Sequence, residues 1–297
     1  MERKTAHDFD QDLLILFDAY VHGGIDRRSF LDQAAKFAVG GVTAAMLLEQ
    51  LSPKFLEAQQ VKPTDDRIKA EYREYNSPNG YGKMRGYLVR PAKMNGKLPG
   101  ILVIHENRGL NPHIEDVTRR FALANFIAFA PDALFPLGGY PGDEDKAREQ
   151  FGKLDQGKTR EDFVTAASYL KTQPECTGKI GAVGFCYGGG MVNYLATRLG
   201  ADLSAGVAFY GSAPDLADVP KIKAPLIIQS AETDPRINES WPKYEEALKA
   251  ANVKYERYLY PGTQHGFHND TTPRYDEAAA KLAWDRTLAF FNKQLRS

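Results

Sequence analysis

The sequence predicts an α/β chain: one mostly parallel sheet with helices on both faces, preceded by an N-terminal helical extension. Two observations carry this. Short apolar runs recur at intervals long enough to hold helices, and the intervening segments place apolar residues at helical spacing. The first sixty residues break that alternation. With 43% hydrophobic and 26% charged residues among 297, the chain is neither disordered nor fibrous. Equal numbers of basic and acidic residues, 38 each, leave no electrostatic footprint for nucleic acid. Two cysteines, Cys176 and Cys186, are too few for a disulfide framework, so any special role for sulfur is chemical.

Residues 1–60 form the extension and residues 61–297 the main domain. From Asp8 to Val21, apolar residues at Leu13, Leu14, Phe17 and Val21 predict a short amphipathic helix that Gly23 and Gly24 end. Arg27-Arg28-Ser29-Phe30-Leu31, a mild apolar run from Phe37 to Leu48 and a small residue at Ala58 resemble a twin-arginine export signal, which implies an exported or periplasmic protein. The alternative is an uncleaved, cytoplasmic extension packed as helices on the main domain. Lys36, Glu49 and Leu56 fit that alternative better. The apolar run is shorter than the ~20 residues of a bilayer span, so no stable membrane span is expected.

From Val61 onward, Ile68 to Tyr75 and Met84 to Arg90 alternate as an antiparallel edge pair about the turn Asn76-Ser77-Pro78-Asn79-Gly80. Buried strands are expected at Gly100 to Ile104, Phe126 to Ala130, Ile180 to Val183, Ala205 to Phe209, Pro225 to Ile228 and Tyr255 to Leu259. Helical spacing marks Ile114 to Asn125, Asp143 to Leu154, Arg160 to Thr172, Met191 to Leu199, Trp241 to Ala251 and Tyr275 to Leu295. Ligands of such a sheet sit beyond the carboxyl ends of its strands, so functional groups are expected just after strands.

The sharpest signal follows the strand ending at Val183: Gly184-Phe185-Cys186-Tyr187-Gly188-Gly189-Gly190. A Gly-x-nucleophile-x-Gly turn between strand and helix presents its central side chain at a helix N-terminus, where the helix dipole favours a thiolate. The Tyr187 N–H then becomes an oxyanion donor. A buried structural cysteine is the plain alternative, and a P-loop is excluded because no Lys-Ser/Thr pair follows. Asp234, in Glu232-Thr233-Asp234, and His265, in His265-Gly266-Phe267-His268, each follow a predicted strand. They supply the orienting acid and the base that a nucleophile needs, with Glu232 and His268 as rivals.

On these residues the region from about Val61 to Ser297 resembles the dienelactone hydrolase family of the α/β-hydrolase fold. Gly184-Phe-Cys-Tyr-Gly-Gly matches that family's cysteine elbow, Asp234 and His265 its other triad members, and Glu106 in His105-Glu106-Asn107-Arg108-Gly109 its fourth site residue. The resemblance implies that Glu106 contacts the resting thiol and, once substrate displaces it, helps remove the proton. It also implies that the Asn107 N–H joins that of Tyr187 in an oxyanion hole. No cofactor and no metal is expected.

Two arginines that hold a lactone carboxylate in the family's founding members are absent. Leu134 and Phe135 lie near one place and Asn269, four residues after His265, occupies the other. Arg108, Arg236 and Arg274 are candidate substitutes, and Phe135, Tyr140 and Phe267 candidate pocket walls. The expected activity is hydrolysis of a small-molecule ester or lactone through a thioester. The competing reading is a non-catalytic ligand-binding or thiol redox-sensing protein on the same fold. A homodimer is left open. His105, His113, His265 and His268 match no strong zinc pattern.

Overall fold

The computed structural model describes residues 4–296. The extension supplies four helices, α1 (Gln11–Val21), α2 (Arg27–Ala34), α3 (Ala44–Leu51) and α4 (Phe55–Ala58). Then follow β1 (Ile68–Ser77), β2 (Gly82–Pro91), β3 (Leu98–Ile104), α5 (Pro112–Leu123), β4 (Ile127–Pro131), α6 (Glu144–Gly152), α7 (Gln156–Lys171), β5 (Cys176–Phe185) and α8 (Tyr187–Leu199). The chain closes with β6 (Ala205–Phe209), β7 (Leu226–Thr233), α9 (Pro235–Asn238), α10 (Trp241–Ala250), β8 (Tyr255–Gln264) and α11 (Glu277–Leu295).

The eight strands form one sheet in the order β1-β2-β4-β3-β5-β6-β7-β8. The β1–β2 and β2–β4 pairs are antiparallel, and every later pair is parallel. Alternate residues of one strand feed two cores, because successive side chains point to opposite faces of the sheet. Leu102 and Ile104 of β3 pack with Phe163 and Leu170 of α7, Val192 of α8 and Leu248 of α10. Ile101 and Val103 pack with Ile114 and Phe121 of α5 and Phe291 of α11. This is the architecture expected from the alternating pattern.

Helix starts differ where a cap outranks apolar spacing. α7 begins at Gln156 because the Asp155 carboxylate accepts the N–H groups of Gly157 and Lys158. α8 begins at Tyr187, so the glycines read as a turn lie inside its first turn. They lie there because the helix abuts strand backbone. A Cβ on Gly184 would come within 2.1 Å of the Gly188 carbonyl oxygen, and one on Gly188 within 2.2 Å of the Ile104 oxygen.

The extension has its own small core of Leu13, Leu14, Phe17, Tyr20, Phe30, Ala34, Leu47, Leu48 and Leu51. The Phe37–Leu48 run divides into a 3₁₀ turn, a glycine bend and α3, capped by the Thr43 hydroxyl. Arg27 and Arg28 open α2, and Arg27 pairs with Asp145 at 2.9 Å. No helix among the described residues is long and apolar enough to cross a membrane.

Candidate active site

Cys186 is the hinge between β5 and α8, and its backbone sits at φ 55°, ψ −113°. A side chain at positive φ is strained, a cost of order 1–3 kcal/mol that recurs at functional turns. The turn sets Cys186 at the carboxyl end of β5 and at the start of α8, whose first N–H groups lack intrahelical acceptors. The Tyr187 N–H, the first of them, stands next to the sulfur in the chain. The Asn107 side chain is anchored on the extension, donating through Nδ2 to the Val21 carbonyl at 3.1 Å.

After β7, Asp234 is buried, and its Oδ2 lies 2.6 Å from His265 Nδ1, beyond β8. His265 is buried as well. The imidazole ring packs against Tyr210 at 4.9 Å between centroids. Cys186 and His265, with Asp234 on Nδ1 of the ring, come together within 4.8 Å, each just after a strand. The rivals do not. Glu232 is exposed and accepts the Gly262 N–H. His268 is buried between Phe185 and Phe209, where burial pushes its pKa down to about 3.

The residue that sequence reasoning missed is His22. It is the C-cap of α1, and its Nε2 lies 3.2 Å from Cys186 Sγ. Its Nδ1 lies 2.8 Å from the Asp18 carbonyl and 3.2 Å from the Asp18 carboxylate, which in turn accepts Arg274 Nη1 at 3.0 Å. Helical spacing brings residues 18 and 22 together, and Gly23 at φ +78° ends α1 so that the ring leaves the last turn toward the sulfur. The available signal was an Asp-x-x-x-His pair on an amphipathic helix just ahead of two glycines.

Burial alone pushes the Cys186 thiol up, but the charges of His22 and His265 and their hydrogen bonds more than offset this and bring it down to about 5. Burial pushes His22 down, and the Cys186 and Asp18 charges and hydrogen bonds raise it to about 10. The same balance raises His265, with Cys186 and Asp234 acting against burial. Asp18 resists burial through His22, His265 and Arg274 and stays well below the usual carboxylate range.

Glu106 lies on the same cavity, where its Oε2 accepts Asn269 Nδ2 at 2.9 Å. His105 places this loop. Its Nε2 accepts the Ala133 N–H at 3.2 Å, which leaves Nδ1 to donate to the Glu106 carbonyl at 2.6 Å. Full burial then holds this imidazole neutral, with a pKa down near 4.

The cavity measures about 350 Å³ and lies between the extension and the main domain. Cys186, His265 and Glu106 form its floor, Phe17, Tyr20 and His22 one wall, and Arg108, Tyr140 and Arg274 line it as well. Three other candidates do not line it. Phe267 is fully buried against Phe209, Tyr210 and Tyr260, because apolar surface this large is better used in the core. Phe135 turns outward beneath the Arg85 guanidinium. Arg236 is exposed, although its Nη2 reaches within 3.3 Å of His22 Nε2 and 3.4 Å of His265 Nδ1.

Cys186, His22 and His265 each place one donor atom within 4.8 Å of the others, a spacing that suits a metal ion. Each imidazole is also paired with a carboxylate, His22 with Asp18 and His265 with Asp234.

Residues 84–295 match the model of the dienelactone hydrolase family, and residues 1–37 match a YqhI-like model. A putative carboxymethylenebutenolidase of Saccharolobus solfataricus is 30% identical over 249 residues, covering 71% of this chain and 94% of that protein. A putative hydrolase fragment of Escherichia coli, YghX, is 57% identical over 114 residues, or 38% of this chain and 97% of the fragment. The crystal structure of a putative dienelactone hydrolase from Klebsiella pneumoniae superposes with a TM-score of 0.67 at 27% identity, covering 76% of this chain and 99% of that one. With the strand order, the cysteine elbow and the acid–histidine pair in place, these likenesses identify the chain as a hydrolase of α/β-hydrolase fold that belongs to the dienelactone hydrolase family.

Proposed function

We propose that the protein hydrolyses small carboxylic esters or lactones through a thioester on Cys186. The observation that carries this reading is the convergence of a strained elbow cysteine with the 2.6 Å His265–Asp234 pair on a cavity large enough for a small ester. The Cys186 thiolate attacks the carbonyl carbon, a C–S bond forms and the carbonyl π pair moves to oxygen, facing the N–H groups of Tyr187 and Asn107. The tetrahedral species collapses, the C–O bond breaks, and the leaving alkoxide takes the proton of the His265 imidazolium.

Once sulfur is bonded in the thioester its negative charge is gone, and with it the Cys186 attraction that raises His265; burial then favours the neutral ring. Neutral His265, oriented by Asp234, takes a proton from water as its oxygen attacks the acyl carbon. Collapse expels the thiolate, restores the imidazolium and releases the acid, which ionises in solvent.

By the resemblance, Leu134 and Phe135 lie near one place, and Asn269 at the other, where the founding family members carry carboxylate-binding arginines, so we propose a substrate whose acid part is neutral or is held by Arg108 or Arg274 on the cavity wall. A thiol sensor is less well supported. Cys176, the other cysteine, lies at the far end of β5, roughly 30 Å away at the usual rise per strand residue, so it offers no resolving thiol. The test is a panel of p-nitrophenyl esters, neutral lactones and carboxylate-bearing lactones with wild type and Cys186→Ala. Turnover of esters or neutral lactones that vanishes in the variant supports the proposal, and no turnover of any member by wild type contradicts it.

A further inference from the structure

We propose that His22 and Asp18 of the N-terminal extension form a second imidazole–carboxylate pair on Cys186, which keeps the nucleophile charged before substrate arrives. The inference deepens the hydrolase reading and rests on it for its catalytic consequence. The geometry is that of two mirrored dyads about one sulfur. His265 is braced by Asp234 beyond β8, and His22 is braced by Asp18 on α1, with the two rings edge to face at 4.7 Å between centroids. Each carboxylate fixes one ring nitrogen, and for His22 the other points at Sγ from 3.2 Å.

The proton balance is simple. The S–H bond of Cys186 breaks, an N–H bond forms at His22 Nε2, and Asp18 stabilises the resulting imidazolium through Nδ1. His22 holds that proton through the cycle, while His265 gives and takes the protons of the leaving group and the water. A site charged in this way does not need a carboxylate to collect the thiol proton when substrate binds. Glu106 is correspondingly engaged elsewhere, by Asn269, the residue standing where the founding family members have an arginine.

Several contacts show that the extension is fitted to the site. The Val21 carbonyl accepts both Asn107 Nδ2 and Arg108 Nη2, at 3.1 and 2.9 Å. Tyr20 binds Asp145 through its hydroxyl and Arg148 through its carbonyl. Arg274 links the His265 loop to Asp18, and His22 is only 15% exposed. The cavity beside Cys186 stays open with His22 in place, so α1 walls the site and does not fill it.

Other charged or titratable groups around this cluster are Glu106 and Arg108 after β3, Tyr210 after β6, Asp234 and Arg236 after β7, and Arg274 after β8. Of these Arg108, which interacts electrostatically with Cys186, also favours the thiolate. His22 and His265 are the imidazoles whose donor atoms lie within 4.8 Å of the sulfur among the described residues.

The experiment is substrate-free alkylation of the full-length protein by iodoacetamide, followed at the Cys186 peptide by mass spectrometry across pH, for wild type, His22→Gln and Asp18→Asn. Wild type should show a midpoint near 5. In His22→Gln one positive charge is lost, so the midpoint should rise above about 7 and alkylation at pH 6 should fall about tenfold. Asp18→Asn should shift it the same way by less, and serves if the first variant folds poorly. A wild-type profile in both folded variants overturns the proposal, and so does faster ester turnover in His22→Gln, which would make α1 an obstruction. Because the alkylation needs no substrate, a correct thiolate result with no esterase activity would indict the hydrolase reading alone.

Discussion

His22 Nε2 lies 3.2 Å from Cys186 Sγ across 164 residues of chain, and this contact joins the N-terminal extension to the cysteine elbow. In the proposed cycle it gives α1 a chemical role as well as a packing one, and it divides the work at the sulfur between one histidine that holds charge and one that moves protons.

Cys186→Ala should abolish turnover with the melting temperature nearly unchanged, since alanine fits the elbow. Cys186→Ser should retain at most about 1% of kcat, because the hydroxyl is far less acidic and a site that stabilises a thiolate does not ionise it. Steady-state kinetics on a p-nitrophenyl ester checks both. Wild-type-like hydrolysis by the alanine variant would end the thiol mechanism.

The two histidines of His265-Gly-Phe-His268 should separate by readout. His265→Ala loses the braced proton carrier and should cost about 10²–10⁴-fold in kcat. His268→Ala should keep most of kcat but lower stability by about 2–4 kcal/mol, because it removes a fully buried ring stacked on Phe185 at 5.1 Å. Thermal melts paired with kinetics read this, and the reverse order would show that the base is misassigned.

Much of the site was legible because a parallel sheet delivers its chemistry at strand ends. Cys186, Asp234, His265 and Glu106 each follow a strand that the apolar pattern marks, and β1 to β8 all appear where that pattern puts them. His22 was not legible for the opposite reason. It belongs to a helix outside the sheet, and nothing local in its sequence records which surface the helix packs on. Phe267 misled in the other direction: its place beside His265 suggests a pocket wall, whereas the loop turns it into the core between Tyr210 and Tyr260.

Glu106→Gln should lower kcat less than His22→Gln does, within about tenfold, since the amide still meets Asn269 and the sulfur is charged from the other side. A comparison of kcat and KM for the two variants on one ester decides it. A larger loss in Glu106→Gln would return the proton-collecting role to the carboxylate.

The acid limb of kcat/KM should fall near pH 5 in wild type. Cys186 has a lowered pKa, so its charge is present above that value and is lost as pH drops through it. Losing His22 removes a positive neighbour and should move the limb upward. A wild-type limb above about pH 7.5 would contradict a preformed thiolate.

The extension should remain on the working protein, because cleavage after Ala58 would remove His22, Asp18 and the Val21 carbonyl that anchors Asn107 and Arg108. Intact mass of the protein from its native host should include α1. Deletion of residues 1–58 should expose the faces that α1 and α4 cover and raise the Cys186 alkylation midpoint. A mature form beginning near Gln59 outside the cytoplasm, fully active, would instead support the export address.

The central claim is that ester cleavage passes through a covalent acyl group on Cys186. Rapid quenching of the full-length protein with a slowly hydrolysed activated ester, followed by peptide mass spectrometry, tests it most directly. The account predicts one acyl adduct, on the peptide that contains Cys186, that forms faster than product is released in steady state and decays at the turnover rate. Turnover with no adduct on Cys186, or with the acyl group on another residue, would contradict it.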